Sequence, residues 1–311
     1  MTFASTQVRA SAAFRAAIGA AFLALVVPLA GTPAHAAFPG SNGPMLFEHA
    51  GDIYVRTQNG TTTNLTGNLS TPVYNPAITP DNAWIAFDDG TFMYTMRRNG
   101  TGRRKLIPTN AQLGICVGAV APAWSPSGAR IAFTCQRAFN NNGGSDIYTM
   151  KRDGSGYLEI GTTGGADMAA WSPNGRKIAW TDNGRIYMAL ARGGGEQMVH
   201  GDPPSPNGPG GSWQYIDWAP DGQHLIAENL IIGLYTVPAA ANSEGQEEFI
   251  LEDGSATQPV YAPNGARILF SDVQSPDSDF DLYSVRLDGT GRRKVTNMSG
   301  GERTPEWAPA P

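Results

Sequence analysis

The sequence predicts an all-β protein, a six-bladed β-propeller closed by pairing the C-terminal strand with the N-terminal blade. A recurring phrase, the strands between its copies, and two incomplete units at the chain ends predict it. The phrase reads Ile78-Thr79-Pro80-Asp81-Asn82, Trp124-Ser125-Pro126-Ser127-Gly128, Trp171-Ser172-Pro173-Asn174-Gly175, Trp218-Ala219-Pro220-Asp221-Gly222, Tyr261-Ala262-Pro263-Asn264-Gly265 and Trp307-Ala308-Pro309. Its prolines lie 46, 47, 47, 43 and 46 residues apart. A fixed period of this size marks an array of one supersecondary unit.

In the second copy an apolar stretch ends at Trp124, and Ser125-Pro126-Ser127-Gly128 carries type I turn chemistry. Arg130 to Phe133 then reads as a β-prone strand and Asp146 to Met150 as the next. Asp153-Gly154-Ser155-Gly156 is a hairpin turn, and Tyr157 to Ile160 a fourth short strand. The order recurs at Ile178 to Trp180 with Arg185 to Met188, and at Ile268 to Phe270 with Asp281 to Val285. Four antiparallel strands in about 45 residues make a propeller blade. One blade alone cannot bury both faces, so blades must stack. The first unit, Met45 to Leu65, lacks its Trp-Ser-Pro strand, and the last, Thr304 to Pro309, is only that strand. Joined, they give six blades and remove an open sheet edge.

The composition bounds what the ring can be. Arg9 and Arg15, an apolar run from Ala16 to Ala30 and Ala34-His35-Ala36 read as a cleaved signal peptide over residues 1–36, with an uncleaved anchor as the alternative. No Cys lies near the cleavage site and no Arg-Arg pair precedes the apolar run, which disfavours a lipoprotein or a twin-arginine signal. Residues 37–311 are then one propeller domain. The chain carries 22 basic and 27 acidic residues; removing Arg9 and Arg15 leaves 20 and 27, a net charge of −7. That balance argues against nucleic acid and anionic lipid as main partners, and the mature chain has no further apolar span. A hairpin centred on residues 125–128 brings positions near 117–119, next to Cys116, opposite Cys135. The expectation for an exported protein is a disulfide between Cys116 and Cys135, with two free buried thiols as the alternative.

The phrase Trp-Ser-Pro-(Asp/Asn)-Gly-x-x-Ile-Ala-(Phe/Trp), then Asp-Ile-Tyr-x-Met and (Asp/Asn)-Gly-(Ser/Thr)-Gly, resembles the TolB-type, WD-like propeller repeats. The best matches are Trp124 to Phe133, Asp146 to Met150 and Asp153 to Gly156, and Thr95 to Arg104 and Ser284 to Arg293 match the later half. The resemblance runs from about residue 40 to 309 and implies a periplasmic or secreted protein. TolB itself carries an α/β domain before its propeller. Here only Ala37 to Met45 precede the first blade, so the expectation is a propeller-only, TolB-like member. Similar repeats cap prolyl-oligopeptidase-type peptidases, which need a Gly-x-Ser-x-Gly elbow that this sequence lacks. Others are lyases of oligogalacturonate that use histidines around a metal.

After cleavage three histidines remain, His49, His200 and His224, in different units. His224 reads as an exposed strand start, and His49 and His200 fall in predicted loops; together they do not define a metal site. Asp277-Ser278-Asp279-Phe280-Asp281 alternates carboxylates, yet lacks the Gly and Glu of a calcium loop. Four Asn-x-Ser/Thr sequons, at Asn64, Asn68, Asn99 and Asn297, matter only in a eukaryotic secretory route.

The position just before each Trp/Tyr/Ile reads Ala77, Ala123, Ala170, Asp217, Val260 and Glu306. The innermost strands carry this ring, so Asp217 and Glu306 either flank the axial channel, two blades apart, or hydrogen-bond within a blade interface. The longest connection, Gly201 to Trp213, is rich in Pro and Gly, and Trp213 and Tyr215 beside it offer aromatic anchors. With the loops Thr109 to Ala119 and Asn297 to Thr304, it belongs to the face where the innermost strands begin, and Gln136 to Ser145 joins that face. The expected partner surface is therefore Trp213, Tyr215, Asp167 and Arg303, with Asp217 and Glu306 deeper. The reading is a monomeric, non-enzymatic module that binds a protein or peptide of the bacterial envelope or exterior, without cofactor or metal. The alternative is a carbohydrate-active propeller, lyase-like or sugar-binding, with its site at the channel mouth.

Overall fold

The computed structural model describes residues 38–106, 116–137, 144–201, 212–274 and 278–310. The leader with its cleavage site at Ala37, most of the Gly201 to Trp213 connection, parts of the loops Thr109 to Ala119 and Gln136 to Ser145, and Asp277 lie outside the described residues. Among the described residues, no helix is long and apolar enough to cross a membrane.

Strands β1 (Asn42–His49), β2 (Asp52–Arg56) and β3 (Thr62–Asn64) open the first blade. The second holds β4 (Tyr74–Ile78), β5 (Trp84–Asp88), β6 (Met93–Arg97) and β7 (Arg104–Leu106). The third holds β8 (Cys116–Trp124), β9 (Arg130–Arg137), β10 (Ser145–Lys151) and β11 (Leu158–Gly164). The fourth holds β12 (Ala166–Trp171), β13 (Lys177–Asp182), β14 (Arg185–Leu190) and β15 (Gln197–His200). The fifth holds β16 (Trp213–Trp218), β17 (His224–Asn229), β18 (Gly233–Pro238) and β19 (Glu248–Glu252). The sixth holds β20 (Thr257–Tyr261), β21 (Arg267–Asp272), β22 (Asp281–Arg286) and β23 (Arg293–Lys294). Finally β24 (Glu302–Pro309) pairs with β1 as the innermost strand of the first blade, giving six four-stranded antiparallel sheets. The register sets Met45 opposite Trp307, Leu46 opposite Glu306 and His49 opposite Glu302. Asn82 Nδ2 donates to Pro309 O at 2.8 Å, which ties the closing strand to the second blade.

The recurring phrase is explained by blade-to-blade contacts. Trp124 Nε1 donates to Ala77 O at 3.2 Å, Trp171 Nε1 to Ala123 O at 3.1 Å, and Trp218 Nε1 to Ala170 O at 3.0 Å. Each indole buries apolar area and gives its polar edge to the preceding blade. The hydroxyl that opens the turn accepts the amide that starts the second strand, as in Lys177 N to Ser172 Oγ at 2.8 Å and Trp84 N to Thr79 Oγ1 at 3.0 Å. The turn's last residue is left-handed, with φ 64° at Gly128 and 70° at Gly265. Glycine adopts that geometry freely, and Asn82 holds the same place at φ 56° where the sequence departs from Gly. Second strands fill the blade interfaces with fully buried Phe87, Phe133, Trp180 and Phe270. A tyrosine of the next strand packs beside each, as in Phe87–Tyr94 at 5.5 Å and Trp180–Tyr187 at 6.1 Å between ring centroids.

Cys116 and Cys135 are joined as a disulfide with Cα atoms 5.5 Å apart. Ala119 stands opposite Cys135, and a bulge between Cys116 and Gly118 adjusts the spacing. β9 continues past Cys135 to Arg137 and β11 runs from Leu158 to Gly164, so both strands are longer than the sequence suggests. His49 and His200 end strands β1 and β15; they are not loop residues.

Candidate functional site: the axial cavity

Each innermost strand carries a left-handed non-glycine residue three positions before its Trp/Tyr/Ile: Asn75, Ala121, Met168, Tyr215, Gln258 and Thr304, with φ between 38° and 56°. At each one the register with the second strand shifts. These are β-bulges, which bend the strand and re-aim its side chains. A left-handed L-residue costs roughly 1–2 kcal/mol, so six of them need support. Neighbouring side chains supply it at five of the six. Ala121 N donates to Asp88 Oδ2 at 2.9 Å, Gln258 N to Glu228 Oε2 at 3.0 Å, and Asn75 N to Glu48 Oε1. Thr304 N donates to Gln258 Oε1 at 2.8 Å. Met168 N donates to Asp167 Oδ1 at 2.9 Å, and the same oxygen accepts Thr134 Oγ1 at 3.0 Å. Burial pushes Glu48, Asp88 and Glu228 above the usual carboxylate range, against the hydrogen bonds they accept.

Below this rim the six strands enclose a cavity of about 160 Å³ on the ring axis. Pro76, Pro122, Pro259 and Pro305 and the small side chains of Ala77, Ala123 and Ala170 form much of its wall. Phe38 and Pro126 line it on the side of the Ser-Pro turns. Asp217 and Glu306 supply its carboxylates, and among the described residues no Lys or Arg lines it. Both acids are surrounded by the ring yet keep some accessible surface, because what they expose is cavity wall.

Asp217 bridges two blades: Oδ1 accepts Trp218 N and Oδ2 accepts Tyr261 N, each at 2.8 Å. Burial still pushes it up to about 7, although both amides favour its ionised form. Burial, followed by the negative charge of Asp217, pushes Glu306 up to about 8. Among the described residues no hydrogen bond reaches the Glu306 carboxylate.

The structure brings Tyr215, Asp217 and Glu306 together on the cavity. Asp167 is at the rim but is engaged with Thr134 and Met168. Arg303 is exposed at the mouth, its guanidinium 3.9 Å from the Phe280 ring centroid. Trp213 is a correction. It is fully buried, its Nε1 donates to His200 Nδ1 at 3.2 Å, and His200 Nε2 meets Glu247 Oε2 at 2.9 Å. Pairing of Trp213 with Asn229 in the sheet turns the indole into the core, so it cannot be a surface anchor. His49 lies beside Glu302 in the first blade, and His224 is exposed and bonded to Asp221, so the histidines stay apart. Asp279 accepts Gly300 N and Asp281 pairs with Lys294 at 2.6 Å. Among the described residues no group of three or more His, Cys, Asp or Glu is set to hold a metal ion.

The rim acids Glu48, Asp88 and Glu228 escaped the sequence reading because they lie on second strands. Comparing the copies at that place gives Glu48, Asp88, Thr134, Thr181, Glu228 and Ser271, polar in all six after an apolar run, which is the signal that finds them.

Comparison with known proteins agrees with the architecture. TolB from Acinetobacter baumannii superposes with a TM-score of 0.65 at 18% identity, covering 86% of this chain and 67% of that one. An oligogalacturonate lyase in complex with manganese superposes with a TM-score of 0.58 at 10% identity, covering 85% and 77%. At such identities these likenesses show the fold alone. A 90-residue stretch, 27% of this chain, is 24% identical to dipeptidyl-peptidase 5 of Porphyromonas gingivalis and spans only 13% of that protein. The TolB beta propeller domain matches residues 43–311. With six blades, the closing strand and this match over most of its length, the chain belongs to the TolB beta-propeller domain family.

Proposed function

We propose that this chain is an exported, non-enzymatic binding module of the bacterial envelope or exterior, and that it takes a basic side chain of a peptide or protein partner into the axial cavity. The observation that carries this is the pair Asp217 and Glu306, enclosed in a largely apolar wall with no Lys or Arg lining it among the described residues. Ionising both in that setting is costly, and a guest cation removes the cost. The apolar stem of Lys or Arg suits walls of Pro and Ala. Tyr215 and Arg303 at the mouth then contact the backbone or flanking residues of the guest.

Isothermal titration of the purified protein with Lys- and Arg-containing peptides, against the same peptides carrying norleucine or citrulline, tests the reading. Cationic peptides bind at least tenfold more tightly, and Asp217→Asn with Glu306→Gln abolishes the difference. A cation favours the ionised carboxylates, so binding near pH 7 releases protons. Equal binding of charged and neutral peptides overturns the reading. Cleavage of a polysaccharide that stops with a chelator replaces it with the carbohydrate-active alternative, the activity class of the manganese-bound lyase that shares the fold.

A further inference from the structure

Charge is sorted along the ring axis. Every second strand runs from the turn face to the mouth face, and every third strand runs back. Lys177 starts β13 and Asp182 ends it; Arg267 starts β21 and Asp272 ends it. Asp52 starts β2 and Arg56 ends it; Asp281 starts β22 and Arg286 ends it. The result is a base-rich turn face and an acid-rich mouth face.

Part of this sorting serves folding: Arg130 and Arg267 donate to the hairpin carbonyls of Gly156 and Gly291, and Asp272 and Asp281 are ion-paired with Arg292 and Lys294. The register places Arg130 opposite Lys151 and Arg267 opposite Arg286 on the turn face, and Asp272 opposite Asp281 at the mouth. Like charges directly opposite in a sheet are destabilising. What such contacts leave unexplained are the bases at hairpin ends that make no ion pair among the described residues, and these point to a use for the basic face.

Its densest sector spans the second to fourth blades: Arg97, Arg98, Arg104, Lys151, Arg152 and Arg192 at hairpin ends. Arg97 and Arg152, from adjacent blades, both stack on Trp84, at 5.1 and 5.4 Å from the ring centroid. Arg104 donates to Asp153 O, which joins the two hairpins. Among the described residues none of these six bases is in an ion pair. The acids nearby, Asp81 and Asp153, accept amides of their own turns, Ala83 N at 3.0 Å and Ser155 N at 2.9 Å.

The bases are spread over hairpin tips and do not converge on a pocket, which suits a planar array of negative charge better than one small anion. The chain also enters the ring on this face. Gly40 N donates to Pro263 O in the turn of the sixth blade, and Phe38 packs in the cluster that holds Trp124 at the start of the third blade's turn. We propose that the turn face docks on an anionic lipid bilayer, leaving the cavity mouth directed away from it. The net charge of −7 left without residues 1–36 argues against anionic lipid only if it is evenly spread, and it is not. Strands of five or six residues hold the two faces roughly 17–20 Å apart, beyond the Debye length of about 8 Å at physiological salt. The bilayer responds to the near face.

Co-sedimentation of the purified protein with large unilamellar vesicles tests this independently of the cavity. Vesicles of phosphatidylcholine with 30% phosphatidylglycerol bind the protein at least tenfold more tightly than pure phosphatidylcholine, and 0.5 M salt removes the difference. Each Lys or Arg near such a surface contributes about fivefold, so Arg98→Glu, Lys151→Glu and Arg192→Glu together lower binding by about 100-fold or more. Lys151→Glu also turns a like-charge pair with Arg130 into an opposite one, so the triple variant melts at an unchanged or higher temperature. Glu252→Lys, at the mouth end of β19, leaves binding undiminished. Equal binding to both vesicle types, an unaffected triple variant, or retention of heparin or duplex DNA without vesicle binding each overturns the proposal.

Discussion

Enclosure by the ring raises Glu306 to about 8 and Asp217 to about 7, whereas the unfolded chain ionises both near their ordinary values of 4.5 and 3.8. Glu302, fully buried in β24, is raised to about 7 by the same cause. The folded state thus holds these protons more tightly than the unfolded one. The stability they contribute is complete below about pH 4 and is lost as the pH rises through 7 to 8. A tenfold difference in proton affinity between the two states is worth about 1.4 kcal/mol, so the trend is measurable. The urea midpoint is expected to fall between pH 5 and pH 8.5, and Asp217→Asn with Glu306→Gln reduces that slope, Glu302 keeping part of it. An unchanged slope in the double variant would assign the trend to other groups. Trp213 illustrates a different control by position. Its indole fills the space between His200 and Tyr235, with ring centroids 5.2 and 5.6 Å away. Trp213→Ala is expected to cost about 3–5 kcal/mol of stability, read as a loss in the chemical-denaturation midpoint. A variant of unchanged stability would restore the anchor reading that burial removes.

At the scale of elements, the closing strand does two jobs. β24 pairs along β1, covering its edge, and it brings Glu306 and Thr304 to the cavity. Leu46 and Phe47 of β1, both fully buried, depend on that cover. Deleting residues 302–311 therefore exposes an edge as well as apolar surface. The truncated chain is expected to bind ANS and lose near-UV circular dichroism and its cooperative melt; a melt within a few degrees of the intact protein would show that five blades and three strands hold without closure. The bulges are the complementary case. They cost energy locally, and the acids that support them come from the preceding blade in three of the six interfaces, Glu48, Asp88 and Glu228. The rim is thus a joint between blades as much as a lining of the mouth, which is why Asp167 is engaged instead of free.

Across the whole molecule, the parts legible in the sequence are those the repeat writes six times. Trp124, Trp171 and Trp218 each bond to the previous blade, so one physical contact leaves a regular trace, and closure follows from the unit missing at one end and present at the other. Asp217 and Glu306 were visible as departures at one repeated position. Trp213 misled because adjacency to a Pro/Gly-rich segment looks like exposure, whereas its sheet partner decides burial. The axial sorting of charge was hidden by net charge, which averages it away. A second asymmetry runs around the ring: between Gly90 and Arg152, in the second and third blades, there are nine Lys and Arg against one acid, Asp146, and between Arg192 and Arg267, mostly in the fifth blade, ten acids and no Lys or Arg. A protein of net charge −5 with its charges evenly mixed would pass through a cation exchanger at pH 7. This ring can present its basic face to one resin and its acidic face to the other. At about 20 mM salt, near-complete retention on both anion and cation exchangers is expected, with Arg98→Glu, Lys151→Glu and Arg192→Glu together abolishing retention on the cation exchanger alone. Flow-through of the unaltered protein on the cation exchanger would mean that the two faces are not felt separately, and with it the electrostatic case for an oriented ring would fall.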